Sequence, residues 1–211
     1  MQLEIAQEAL VRNLPAFSRF LEISALSNTQ VINYARIASD AQIAPSTTQE
    51  YFRILYDTFM AYELPAWKAK KKRKVATTSK FYFFDIGVVN AILRRWKVFE
   101  NSSDYGHCLE SYIFSELTAY TNYNKLEPLC HWRTKLKEEV DFIFNQNVAI
   151  ELKSKKKISN RDLNGLKKLK QEKIFKRHLL VANVSSKEFH DNIEIWPILD
   201  FLKSLWQGEF L

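Results

Sequence analysis

The chain has 211 residues, 46% hydrophobic, 14% aromatic and 26% charged, enough for one substantial domain or two small ones, and this composition excludes the disordered, collagenous and low-complexity classes. Lys and Arg number 31 against 24 acids, a net charge of +7; no run approaches the roughly 18 apolar residues of a membrane span and the start MQLEIAQEAL has no signal-peptide character, so a soluble cytoplasmic protein without a membrane partner is expected. The four glycines form no phosphate-loop pattern and Cys108 and Cys130 lie in no metal or redox motif, so the chain itself is not a phosphate-loop ATPase and gives no sign of a disulfide framework or zinc site.

From the N-terminus, LEIAQEALVRN and PAFSRFLEISAL carry helical periodicity, with Pro15 where a helix can begin. A short helix over Tyr34 to Ala41 then leads through Gln42 to Pro45 into a second helix, in which Ser46 and Gln49 have the spacing of a capping box. That pair predicts a helix-turn-helix. Phe52, Leu55 and Phe59 would face the first helix, leaving Thr47, Thr48, Gln49 and Arg53 at an exposed leading end within reach of a nucleic-acid groove. YELPAW and SKFYFFD read as strands flanking AKKKRKVATT, where the wing of a winged helix would lie, and Lys70, Lys71, Lys72, Arg73 and Lys74 fall in that loop. An αα-hairpin followed by a basic surface loop is the plainer alternative.

Asp85 predicts an N-cap for a helix from Ile86 to Trp96, and the polar stretch from Glu100 to Tyr105 marks a break, giving an N-terminal domain over residues 1–90 and a second over 91–211. The second alternates: a helix from Tyr105 to Tyr120, strands LCHWRT, EEVDFIF and VAIELK, a helix from Asn160 to Gln171, strands RHLLVA and IEIWP, and a helix to Trp206. That order predicts an α/β (α+β) domain with a mixed sheet.

Chemistry concentrates in EEVDFIFNQNVAIELKSKKK. Val140, Phe142 and Phe144 alternate with Asp141 and Ile143, and Val148, Ile150 and Leu152 with Ala149, Glu151 and Lys153. A three-residue loop over Asn145, Gln146 and Asn147 would pair 144 with 148, 142 with 150 and 140 with 152, setting Asp141 across from Glu151 and Lys153 on the same face. Facing carboxylates repel, and a divalent cation, Mg²⁺ or Mn²⁺, would reverse the sign, with Asp141 and Glu151 as ligands. Lys153 would then act as the catalytic lysine, stabilising charge that develops on an attacked phosphate. The alternative for these residues is a half-exposed strand pair with an ordinary Glu151–Lys153 ion pair. Glu110 shares a helical stripe with Phe114 and Leu117 facing the sheet, as a supporting acid or further ligand. Lys155, Lys156, Lys157 and Arg161 follow where a polyanionic backbone would run, and Arg133 lies in the preceding strand as a further phosphate contact. His107 stands one turn before Glu110.

Glu110 in a helix, then HWRTKLKEEVDFIF, then VAIELKS with Glu151 and Lys153 resembles the PD-(D/E)XK nuclease superfamily, which implies a restriction-endonuclease-like mixed sheet flanked by helices over residues 91–211. Its proline before the first acid is missing here, because Val140 precedes Asp141. More closely, the order EALVRNLPAFSRFLEISA, APSTTQEYFRIL, KFYFFDIGVV, HWRT, EVDFI and IELKS resembles the C-terminal region of bacterial AAA-type ATPases carrying domain of unknown function family 4143. That resemblance implies an ATPase domain upstream, absent from this chain. Two functions follow as expectations: a metal-dependent DNA-cleaving nuclease module, or a non-catalytic nucleic-acid- or partner-binding module of an ATPase.

Overall fold

The computed structural model describes residues 11, 13–67, 78–100, 102–134, 136 and 138–211. Most of LEIAQEALVRN and the loop carrying Lys70, Lys71, Lys72, Arg73 and Lys74 therefore lie outside the described residues. The chain divides into two compact units, Met1–Glu63 with Lys80–Lys97, and Leu64–Ser79 with Val98–Leu211. Among the described residues the architecture is α+β: seven α-helices, a two-stranded sheet and a six-stranded mixed sheet.

The first unit is built on aromatic side chains. Helix α1 (Leu14–Leu26) starts where the Asn13 side chain accepts the Ala16 N–H at 3.1 Å, with Pro15 in the first turn, and buries Phe17, Phe20 and Leu21. Helix α2 (Tyr34–Ala41) ends on Gln42 in the left-handed region at φ 54°, and α3 (Pro45–Asp57) follows at once. Phe20, Tyr51, Phe52 and Phe81 meet in tilted and edge-to-face pairs at ring-centroid distances of 5.0–5.3 Å, each adding about 0.5–1.5 kcal/mol beyond its area burial. Strands β1 (Ala61–Leu64) and β2 (Lys80–Phe83) pair with each other. Helix α4 (Ile86–Ile92) is capped by Asp85, which accepts the Val88 N–H at 3.2 Å.

Four expectations change here. Helix α3 begins at Pro45, two residues earlier than a Ser46 cap would place it, with Ala44 as N-cap and no side-chain cap bond, because the fixed φ of proline suits the first helical position. Thr48 is fully buried and its hydroxyl donates to the Ala44 carbonyl at 3.3 Å, so it is turned away from any groove. Phe59 lies past the helix end in a left-handed turn at φ 57° and is 72% exposed, so it does not pack on the first helix. Helix α4 stops at Ile92 because Arg94 takes a left-handed φ of 55°, which leaves Trp96 outside it and exposed.

In the second unit, α5 (Ser103–Tyr123) lies on one face of the sheet through Phe114 on Phe142 and Tyr120 on Phe144. The sheet runs β3 (Cys130–Arg133), β4 (Glu139–Phe144), β5 (Val148–Lys153), β6 (Arg177–Ala182), β8 (Ile193–Pro197), β7 (Glu188–His190). The β5–β6 and β6–β8 pairs are parallel and the rest antiparallel. A 3₁₀ turn (Asn160–Leu163) and α6 (Asn164–Gln171) cross from β5 to β6, burying Leu163, Leu166 and Leu169 against Ile143, Ala149 and Leu180. Helix α7 (Ile198–Trp206) closes the chain. The β4–β5 hairpin has the register its alternation predicts, Phe142 opposite Ile150 and Phe144 opposite Val148, with Asn145 and Gln146 at positive φ in the loop. The strict alternation expected of β4 does not hold along its length. Cys130 faces Ile143 while Trp132 faces Val140, so two β4 residues, Asp141 and Phe142, stand against the single His131 of β3. That bulge moves Val140 into the core cluster with Ile143 and Ala149, away from Phe142.

Candidate functional site

The bulge falls on Asp141, and its geometry follows from it. The paired register ends at Phe142 and Ile150, so Asp141 and Glu151 are the next residues outward on their strands. In an unbroken ladder Leu152 would face Val140; instead its N–H donates to Asp141 Oδ2 at 2.9 Å. A backbone donor thus fixes one oxygen of a half-buried carboxylate.

Two residues apart on β5, Glu151 and Lys153 share a face. Glu151 is 8% exposed, and its Oε1 accepts from Lys153 Nζ at 2.5 Å. Burial alone would lower the Lys153 ammonium, but Glu151 foremost and Asp141 after it more than offset that and raise it above the usual lysine range. The lysine is therefore held cationic beside two acids.

Glu110, half-buried rather than fully buried, sits in the second turn of α5. With His107, Asp141, Lys153, Ser154 and Lys155 it lines a pocket of about 210 Å³ where β5 leaves the sheet beside the start of α5. The structure thus brings together three of the four residues singled out for chemistry around one opening, with Glu151 joined to it through Lys153. Among the described residues, no three His, Cys, Asp or Glu side chains are grouped as ligands for a metal ion.

The basic residues after β5 are partly engaged. Lys155 Nζ donates to Asp162 Oδ1 at 2.6 Å, and Lys156 lies 3.1 Å from Glu100; Lys157 and Arg161 are exposed. Arg133 is half-buried and paired with Glu139, opposite it on β4, at 3.5 Å. On α3, Gln49 and Arg53 are exposed, Thr47 is half-buried and Thr48 is inside. His131 is buried, its Nε2 3.1 Å from the Thr78 carbonyl, and His178 is buried on β6.

Asp162 was not foreseen. It accepts from the Ser159 N–H at 2.9 Å, the Ser159 hydroxyl at 2.7 Å and Lys155. Burial pushes its carboxyl up, yet the bonds from Lys155 and Ser159 outweigh that and hold it down at about 2. The signal was available: Ser159 and Asp162 have the three-residue spacing of a capping box, and the turn starts there.

An α+β unit whose mixed sheet carries a parallel β5–crossover–β6 core, with acids and a lysine at the exit of one hairpin, defines the class. The chain matches two families in succession: residues 1–97 match a family described as Domain of unknown function (DUF8612), and residues 105–201 match Domain of unknown function (DUF4143). Compared with curated proteins and with solved structures, the chain finds no match to either. No helix among the described residues is long and apolar enough to cross a membrane.

Proposed function

We propose that the second unit cleaves DNA with the help of a divalent cation, Mg²⁺ or Mn²⁺, and that the first is a winged-helix module adding affinity for the duplex. The observation that carries the reading is the shared pocket of Glu110, Asp141 and Lys153. The donor set fits a hard cation: Glu110 and Asp141 open onto one cavity, and Mg²⁺ keeps several waters and needs only one or two carboxylates. Those two residues would hold the ion, and Glu151 would join them only by releasing Lys153. When bound, the cation supplies charge stabilisation at a phosphoryl oxygen.

The chain's own residues supply the rest. Lys153, kept protonated by Glu151, cannot serve as a proton acceptor at neutral pH; it is a donor to the charge that builds on the scissile phosphate. Glu151 positions that ammonium. Asp141, tied to the Leu152 amide, keeps one carboxylate oxygen in fixed aim. Lys155 on the pocket rim attracts the phosphate backbone. In the first unit, α2, the turn at Gln42, α3 and the β1–β2 pair follow the order of a winged helix, with Gln49 and Arg53 accessible. The resemblance to ATPase C-terminal regions supports an upstream ATPase domain as working partner.

The Glu151–Lys153 pair favours a second reading, a module that keeps the fold and binds nucleic acid without cutting it. Calorimetric titration with Mn²⁺ separates the two. The nuclease reading expects a binding event in the wild type that is lost in Asp141→Asn, since an amide lacks the charge to hold a hard cation. A wild type that binds duplex DNA and takes up no metal, even beside that DNA, is the binding module.

A further inference from the structure

The six-stranded sheet has two edges, and only one is covered. Along β3 the segment 65–67 takes up the outer backbone groups: the His131 N–H donates to the Pro65 carbonyl at 2.9 Å, and the Trp67 N–H donates to the His131 carbonyl at 2.6 Å. The other edge is β7, and among the described residues no strand pairs with it on its outer side. Asp191 and Asn192, at positive φ of 52° and 59°, form the two-residue loop that joins β7 to β8. In such a hairpin the residues flanking the loop, His190 and Ile193, exchange backbone hydrogen bonds, and Glu188 and Ile195 do the same two positions on. Phe189, between them, therefore points its N–H and C=O away from β8. An open backbone pair of this kind is a template for another strand, and proteins guard such edges with lysine, proline or a bulge. Within Glu188–His190 there is none of these.

The side chains decide which strand fits. Phe189 lies opposite Glu194, so its ring stands on the Glu194 and Trp196 face and is 69% exposed, whereas Glu188 and His190 stand on the face of Ile193 and Ile195. An antiparallel copy of β7 centred on Phe189 sets the two Phe189 rings across from one another. It also sets Glu188 of each copy directly opposite His190 of the other, with Cβ atoms about 4.5–5.5 Å apart. One step further out Lys187 meets Asp191, again of opposite sign, so the run from Lys187 to Asp191 is complementary to its own reverse. Lys187 and Asp191 already have partners in Glu194 and Lys167, which leaves the selection to Glu188 and His190.

We propose that β7 is a dimer interface, at which two copies of the chain join their sheets edge to edge, antiparallel through Phe189. The same patch serves both copies, as a two-fold contact requires. Because β7 shares no residue with the Glu110, Asp141 and Lys153 pocket, the dimer stands apart from the hydrolytic reading.

The test is sedimentation velocity on the full chain, free of nucleic acid, at about pH 6, where histidine side chains in general carry charge. The wild type moves with concentration from 24.9 kDa toward twice that mass, with a Kd on the order of micromolar for so small an interface. Phe189→Pro stays monomeric: it removes the outward N–H, which β8 does not use, so the hairpin keeps its own ladder and the denaturant midpoint is little changed. Glu188→Lys and His190→Glu each set like charges opposite one another and weaken the dimer by about tenfold. An equimolar mixture of those two variants, and the double variant, regain the wild-type strength, which a merely structural effect of either change would not give. A wild type that stays monomeric up to about 100 µM, leaving the edge to a strand of some other protein, overturns the proposal. So does a dimer that survives Phe189→Pro, or one that the mixture fails to restore.

Discussion

Lys153 is half-buried between acids, and its charge state decides what it can do. Because Glu151 and Asp141 raise its proton affinity, any limb of the pH–rate profile that belongs to it lies above the ordinary lysine value of about 10.4. Lys153→Ala should slow cleavage by roughly 10²–10³-fold, the cost of losing one donor to developing charge, and leave Mn²⁺ uptake in calorimetry largely intact. Asp162 gives a second prediction. Its carboxyl is held at about 2, below the ordinary 3.8, so its charged form contributes stability that is fully present above the ordinary value and is lost as pH falls through about 2. Asp162→Asn should therefore be less stable than the wild type at neutral pH in denaturant melts, and the gap should close in acid; a gap independent of pH would contradict the assignment. The Glu151–Lys153 pair was legible because a two-residue spacing on a strand puts both side chains on one face. The inward turn of Thr48 was not, since a threonine hydroxyl can satisfy itself on its own helix and so be buried where a pattern of polar residues suggests exposure.

Among elements, the turn end of the β4–β5 hairpin was readable because Phe142 meets Ile150 and Phe144 meets Val148 when the three-residue loop is counted, while the expected pairing of Val140 with Leu152 is not made. The bulge opposite His131 was not: neither Asp141 nor Phe142 is a glycine, and nothing local marks an extra residue. Strand β1 ends at Leu64 because Pro65 has no N–H to give a ladder, and the next residues run beside β3 instead, Trp67 N–H donating to the His131 carbonyl at 2.6 Å. Strand β7, three exposed residues at a sheet edge, carries no apolar pattern to find it by. The docking of α6 on β4 depends on a single glycine. A Cβ on Gly165 would fall inside the van der Waals exclusion of the Glu139 carbonyl oxygen, a backbone atom that cannot turn aside. Gly165→Ala should lower stability by about 1–3 kcal/mol as overpacking does, read from denaturant midpoints; an unchanged midpoint would mean that the helix docks more loosely than this close approach requires.

Across the whole molecule, the +7 charge and its clustering set the expectation for partners. Replacing Lys70, Lys71, Lys72 and Arg73 together by alanine should make duplex binding less salt-dependent, by about 0.9 in log–log slope for each phosphate that is no longer neutralised; an unchanged slope would make that run a solvated bystander. The polar break expected from Glu100 to Tyr105 lies close to the division after Lys97, whereas the grouping of Leu64–Ser79 with the second unit has no local mark, because it depends on neighbours distant in sequence. The proposed hydrolysis requires Glu110, Asp141 and Lys153, which line one pocket, to act together. The most direct test is incubation of supercoiled plasmid and of single-stranded circular DNA with the wild type and Asp141→Asn, in Mg²⁺ or Mn²⁺ and in EDTA. Nicked or linear products from the wild type only with the cation, and none from Asp141→Asn, are the predicted result; intact DNA from the wild type under every condition, or equal cutting by the variant, would contradict it.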